Sequence, residues 1–235
     1  MNKKTILGYA LGPIGSGLLG LISLPIITWF YSVEDVGRIS MLQVFTSFSI
    51  LFFCLGLDQA YVRDYHEAKN KPQLFRTVIL PCLIFSILIF SLLAIYDLKI
   101  ISLWLYEIPS AYLSIITIIC FIAALASRFL SLILRMQERS FAFSMSQLLP
   151  KIIFLFIVVN TVWLGFARDS YSLITANATS VILAFIVFAW NTRSEWLAAL
   201  TTKIDINELK SALSFGWPLI FGGLASWGLN VMDRL

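Results

Sequence analysis

SFGWPLIFGGLASWGLNVMDRL, residues 214–235, decides how the rest of the chain is read. It opens like a membrane helix, with Pro218 near its start and Gly222, Gly223 and Gly228 along it. It then ends on Asn230, Asp233 and Arg234. Charges at membrane depth are costly, so a span rarely closes a stable membrane protein on a charge pair. The stretch therefore predicts that the chain is the first part of a longer protein. It also predicts that the missing part restarts the pattern with which this part begins.

The composition agrees with a membrane setting. The chain has 235 residues, 59% of them hydrophobic and 13% charged. A soluble domain carries roughly 45–50% apolar and about 25% charged residues. A core of this size does not hide the excess. The apolar runs are continuous and do not alternate, which excludes a β-barrel and indicates a polytopic helical membrane protein. The net charge of +4 reads as basic loops at one membrane face, not as a nucleic-acid surface. Cys54, Cys82 and Cys120 sit inside apolar runs without metal-ligand spacing, and His66 is the one histidine. They read as small buried side chains with no disulfide or metal role. No cofactor is expected.

Seven spans follow from the apolar runs. The first, about Ile6 to Tyr31, carries Gly12, Pro13, Gly15, Gly17, Gly20 and Pro25. It is too long for a signal-peptide core and reads as a bent helix with a close-packing small-residue face. Residues 32–38 read as a polar turn. The second span is about Ile39 to Leu57, and residues 58–76 form a charged loop. The third span is about Thr77 to Tyr96. Residues 97–110 place Ile100, Ile101, Leu103, Trp104 and Tyr106 at the interface. The fourth to sixth spans are about Ala111 to Leu134, Phe141 to Leu164 and Tyr171 to Trp190. Asn191 to Leu213 is the longest polar stretch. In it Asp205 and Glu208 make an aspartate version of a capping box, with Ile206, Leu209 and Leu213 on one helical face. That predicts a short interfacial helix linking two bundles. The expected organisation is a first six-helix lobe over 1–190, a linker over 191–213 and the start of a second lobe over 214–235. Pro13, Gly17 and Leu19 recur as Pro218, Gly222 and Leu224 at an offset of 205 residues, a faint sign of an internal repeat.

Basic residues orient the spans. With the amino terminus inside, eleven of the 17 Lys and Arg fall in inner segments: Lys3, Lys4, Arg63, Lys69, Lys71, Arg76, Arg135, Arg139, Arg193, Lys203 and Lys210. Arg38, Lys99 and Arg168 fall outside. This asymmetry places the amino terminus in the cytoplasm.

Arg128, Lys151 and Arg234 lie within spans. A charge there costs about 2.5–3.5 kcal/mol on insertion scales, so it faces a partner or a wet cavity unless it snorkels to the interface. Arg128 lies about 10 Å inside the membrane and Lys151 about 18 Å, by helical rise. Pro150 precedes Lys151 and opens the helix there. Asp58 and Arg63 close the second span, where either a mutual ion pair or substrate contact accounts for them. Asp233 and Arg234 are adjacent and cannot share one helix face. Gln147, Asn160 and Asn177 fit either the cavity or helix–helix hydrogen bonds. No phosphate loop, zinc-protease motif or carboxylate cluster for magnesium is present, which argues against an enzyme. A basic cavity inside a helical bundle suits an anionic amphiphile, its phosphates on Arg and Lys and its tail in the bilayer.

Four patches carry a resemblance: Gly12 to Pro25; Val33-Glu34-Asp35-Val36-Gly37-Arg38; Gly56-Leu57-Asp58-Gln59-Ala60-Tyr61-Val62-Arg63 with Asp64 and Glu67; and Trp217-Pro218-Leu219 through Gly222-Gly223-Leu224 to Asp233-Arg234-Leu235. In these the chain resembles the Wzx-type O-antigen flippases, members of the exporter superfamily that includes the MATE drug antiporters and the lipid II flippases. The resemblance implies an all-α polytopic fold of two six-helix lobes, of which this chain supplies the first and the start of a seventh span. It implies alternating access that moves an undecaprenyl-diphosphate-linked sugar unit across the bacterial cytoplasmic (inner) membrane for O-antigen or capsule synthesis. Asp58 and Arg63 then belong to a cytoplasmic gate, and Arg128, Lys151, Asp233 and Arg234 to the cavity. The implied partners are the lipid-linked oligosaccharide, membrane lipid, and the polysaccharide polymerase and chain-length proteins. An ion-coupled drug exporter, a sugar-phosphate transferase, a non-catalytic scaffold and an inactive remnant are the competing readings.

Overall fold

The computed structural model of the chain describes residues 3–232. Over them the chain forms ten helices: α1 (Lys3–Phe30), α2 (Val33–Cys54), α3 (Leu57–Asp64), α4 (Lys71–Tyr96), α5 (Ile100–Tyr106), α6 (Ala111–Met136), α7 (Ser140–Trp163), α8 (Ser170–Asn191), α9 (Arg193–Leu200) and α10 (Ile206–Met232). Seven of them, α1, α2, α4, α6, α7, α8 and α10, are long and apolar enough to cross a membrane. No strand occurs among the described residues. The all-α polytopic class read from the apolar runs therefore holds.

The bundle is built around α6. Leu113, Cys120, Leu125, Phe129 and Leu134 on α6 are fully buried, and α6 packs against α2, α4, α7 and α8. At the periphery, α1 turns Leu18, Leu21 and Trp29 outward, as a lipid-facing helix does. α1 is held by α7 through its small residues. A Cβ on Gly12 would stand 3.1 Å from Ser144 Cα, and one on Gly15 would stand 2.8 Å from Leu148 Cδ2. Gly17 and Gly20 face open space. The small-residue face is thus confined to the first half of the helix.

Several boundaries differ from the sequence reading, each for a local reason. Residues 32–38 are not a separate turn. Ser32 caps α2, its Oγ accepting from Asp35 N at 3.1 Å while the Asp35 carboxylate returns to Ser32 N, and this reciprocal pair starts the helix at Val33. The charged loop expected over 58–76 contains α3, which Tyr61 and Phe75 pin edge-on against α4 with centroids 5.9 Å apart. Burial pushes the Tyr61 phenol far above its usual range. In α5, Tyr106 is not interfacial. It is 1% exposed and its hydroxyl meets Thr117 Oγ1 at 2.8 Å, while Leu103 and Trp104 stay exposed.

The expected interfacial helix and seventh span are one continuous helix, α10. Asp205 caps it, accepting from Asn207 N and Glu208 N at 2.9 and 3.2 Å. The helix continues through Ser214, although Pro218 leaves the Ser214 carbonyl without its helical N–H donor, so the amphipathic turn runs straight into the span. Arg38, read as an outer loop charge, ties three elements together. It donates to Tyr106 O at 2.8 Å and to Ser170 Oγ at 2.9 Å, and pairs with Glu34. Ser170 Oγ in turn bonds the Asp35 carboxylate.

Candidate functional site

The site begins where α2 breaks. Leu55 and Gly56 both adopt left-handed backbone, with φ of 51° and 70°. That conformation ends a helix and is least costly at glycine. The chain then restarts as α3, which brings Asp58 into the bundle two residues after the break. Gly56 has a second constraint. Gly216 of α10 crosses the break so closely that a Cβ on Gly56 would stand 2.6 Å from Gly216 Cα, and one on Gly216 would stand 2.6 Å from Leu55 O. The two segments touch backbone to backbone. Higher on α10, Trp227 Nε1 donates to Ser47 Oγ at 3.1 Å and its ring packs on Phe48.

Beside this crossing lies an ion pair. Arg128 of α6 donates Nη2 and Nε to Asp58 Oδ2 at 2.8 and 3.2 Å. The Asp58 side chain is 12% exposed and that of Arg128 40%. A cavity of about 310 Å³ opens onto the pair, with Cys54, Gln59, Leu219 and Gly223 in its wall. Neither the mutual Asp58–Arg63 pair nor snorkelling of Arg128 is what the structure contains. Arg63 instead bonds Asp64 at 2.5 and 2.8 Å, and that bond raises its pKa. Its guanidinium lies 4.1 Å from the centre of the Phe215 ring on α10.

Lys151 lies in the adjoining cavity, about 560 Å³, between α1, α2, α7 and α8. Its ammonium donates to Ser16 O at 2.8 Å and to Ser16 Oγ at 3.2 Å. Ser47 and Ile50 line both cavities, so the two adjoin along one side of α2 and are together called the groove. Among the described residues the groove holds Asp58, Arg128 and Lys151, a net formal charge of one positive. Asn177 lines it as well. Asn160 does not, bonding Phe156 O within its own helix, and Gln147 lies against Gly12. Asp233 and Arg234 lie outside the described residues.

The polar stripe of α2 was missed from the sequence. Ser40, Gln43 and Ser47 face the groove, and with Ile50 and Cys54 they recur at three- and four-residue intervals. That spacing is one helix face, and a polar face inside an apolar run was the available signal. Chemically, the groove offers two cations at different depths, hydroxyls and amides between them, and apolar walls. It suits an elongated anionic ligand. Among the described residues no group of three His, Cys, Asp or Glu side chains is placed to hold a metal ion.

Compared with known families, residues 3–235 match the model described as polysaccharide biosynthesis protein. The chain belongs to that family and has a role in polysaccharide biosynthesis. No curated protein and no solved structure matches it.

Proposed function

We propose that this member of the polysaccharide biosynthesis family translocates undecaprenyl-diphosphate-linked oligosaccharide units from the cytoplasmic to the periplasmic leaflet of the bacterial inner membrane. The observation that carries the reading is the pair of adjoining cavities along α2, with Arg128 lining one and Lys151 the other. A diphosphate needs paired cationic donors at membrane depth, a sugar chain needs hydroxyl and amide partners, and the prenyl tail needs to remain in lipid. On this reading residues 1–190 are a first lobe, 191–213 the linker and 214–235 the start of a second lobe. The protein works by alternating access and catalyses no bond change. The excess of Lys and Arg in alternate loops supports a cytoplasmic amino terminus.

A drug exporter of the same architecture is less well supported. It needs a carboxylate at depth to take a cation or proton, and among the described residues the one carboxylate lining the two cavities, Asp58, is already bonded by Arg128.

The test is a chromosomal Lys151→Ala substitution with Lys151→Arg as its control. A hydrogen bond to a charged group contributes about 1.5–3 kcal/mol, which corresponds to a loss of about tenfold or more in rate. Surface polysaccharide falls by that factor in Lys151→Ala at unchanged protein level, and Lys151→Arg retains most of it. Arg63→Ala has a smaller effect, because Arg63 contacts α10 and not the groove. Normal polysaccharide in Lys151→Ala removes the ground for the assignment.

A further inference from the structure

A second hollow lies away from the groove. It measures about 280 Å³ and is lined by α4, α6, α8 and α9. Its walls are apolar: Ile79 and Leu83 of α4, Leu130 of α6 and Phe185 of α8. Small residues make the space, since Ala126, Ala189 and Ala199 stand where larger side chains would fill it. Three of the four contributing helices are long and apolar enough to cross a membrane, so the cleft lies among spans. The fourth, α9, closes one end with Trp196, whose Nε1 donates to Ala189 O at 2.8 Å. Close by, Arg193 stacks 4.4 Å from the centre of the outward-facing Trp190 ring. Tryptophan and arginine together mark the level of the membrane interface.

At that same level stands Arg76. It is five residues into α4 from Lys71, about 8 Å along the axis. Its Nη1 donates to Leu200 O at 2.7 Å and also to Thr202 O. Its Nε is buried without a hydrogen-bond partner. Both acceptors are neutral carbonyls, so they bind its protons without balancing its charge. The ion pairs of the described residues are Arg38–Glu34, Arg63–Asp64 and Arg128–Asp58, and none includes Arg76. A full positive charge thus heads an apolar cleft at interface depth, with no carboxylate of the described residues in ion-pair contact with it.

We propose that this cleft is a binding site for one anionic phospholipid, with an acyl chain between α4 and α8 over α6 and the phosphate at Arg76. The cleft runs from Arg76 to Leu83, about 10 Å by helical rise, so it takes the upper half of an acyl chain. The bound lipid supplies the missing counter-charge and packs α9, and with it the connection to α10, against the bundle. This site is independent of the groove and of the transport reading.

The experiment is native mass spectrometry of the full-length protein, titrated with dioleoyl phosphatidylglycerol or dioleoyl phosphatidylcholine. The wild type binds the first lipid about fivefold more tightly, the factor expected for one basic residue meeting an anionic headgroup. Arg76→Gln, which keeps a donor for the carbonyls, abolishes that preference, and Arg76→Lys keeps it. Ala126→Phe fills the cleft and weakens binding of both lipids. Equal binding of the two lipids by the wild type overturns the proposal. So does a preference that survives Arg76→Gln, or binding that Ala126→Phe leaves unchanged. Melting curves of each variant separate loss of the site from loss of the fold.

Discussion

Arg128→Ala lowers surface polysaccharide at least about tenfold and also destabilises the protein. Adding Asp58→Asn restores the stability without restoring the polysaccharide. Removing the guanidinium leaves a carboxylate that is 12% exposed with no cationic partner. A buried charged group in that state costs about 1–3 kcal/mol or more. The larger figures for fully buried pairs do not apply, because Arg128 is itself 40% exposed. Neutralising Asp58 in the same chain removes that penalty. If Arg128 served only to neutralise Asp58, the double variant would be active. If Arg128 also meets the ligand's phosphates, the double variant stays inactive. Asp58→Asn alone leaves Arg128 without its competitor and strengthens anion binding. Detergent melting curves and polysaccharide immunoblots of the three variants decide between these outcomes.

Gly216→Val separates α10 from the α2–α3 break. Its Cβ meets Leu55 O at 2.6 Å and the Gly56 carbonyl carbon at 2.9 Å. These are backbone atoms that cannot rotate away, so the cost falls at the upper end of the about 1–3 kcal/mol typical of overpacking. Gly222 faces open space and Gly222→Val serves as the control. Ser47→Cys and Trp227→Cys place two thiols on facing stretches of α2 and α10, a gap that the Trp227 side chain now spans, so a bifunctional thiol reagent of about that length bridges them. The cross-link with this reagent forms in this background and with Gly222→Val, and is lost with Gly216→Val. A cross-link that persists with Gly216→Val contradicts the close crossing. The crossing matters because α10 forms one wall of the groove through Leu219 and Gly223.

The spans were legible because each is a long apolar run, and hydropathy reports burial in lipid directly. The packing face of Gly12 and Gly15 was legible too, since small residues in a span have few other uses. The depth of Arg128 and Lys151 followed from counting residues at helical rise. Their partners did not. Asp58 and Arg128 are 70 positions apart in sequence, and no local pattern links them. Arg63 is five residues from Asp58, outside the three- or four-residue spacing that pairs side chains on a helix, and its neighbour Asp64 and the Phe215 ring on α10 hold it instead. Helix α3 was hidden because it is short and polar, and its stability comes from aromatic contacts with α4 that tertiary structure supplies. Arg38 was hidden for the same reason, since two of its partners, Tyr106 and Ser170, belong to distant elements.

On the transport reading the groove along α2 carries a diphosphate-linked oligosaccharide across the membrane. The most direct measurement uses the full-length protein in proteoliposomes, loaded with undecaprenyl-diphosphate-linked oligosaccharide. The fraction of sugar exposed on the outer leaflet is followed with an impermeant glycan-modifying reagent. Wild-type vesicles move the lipid between leaflets well above protein-free vesicles, and vesicles carrying the Arg128→Ala/Asp58→Asn variant do not. Equal rates for the wild type and the variant, or no rate above protein-free vesicles, would contradict it.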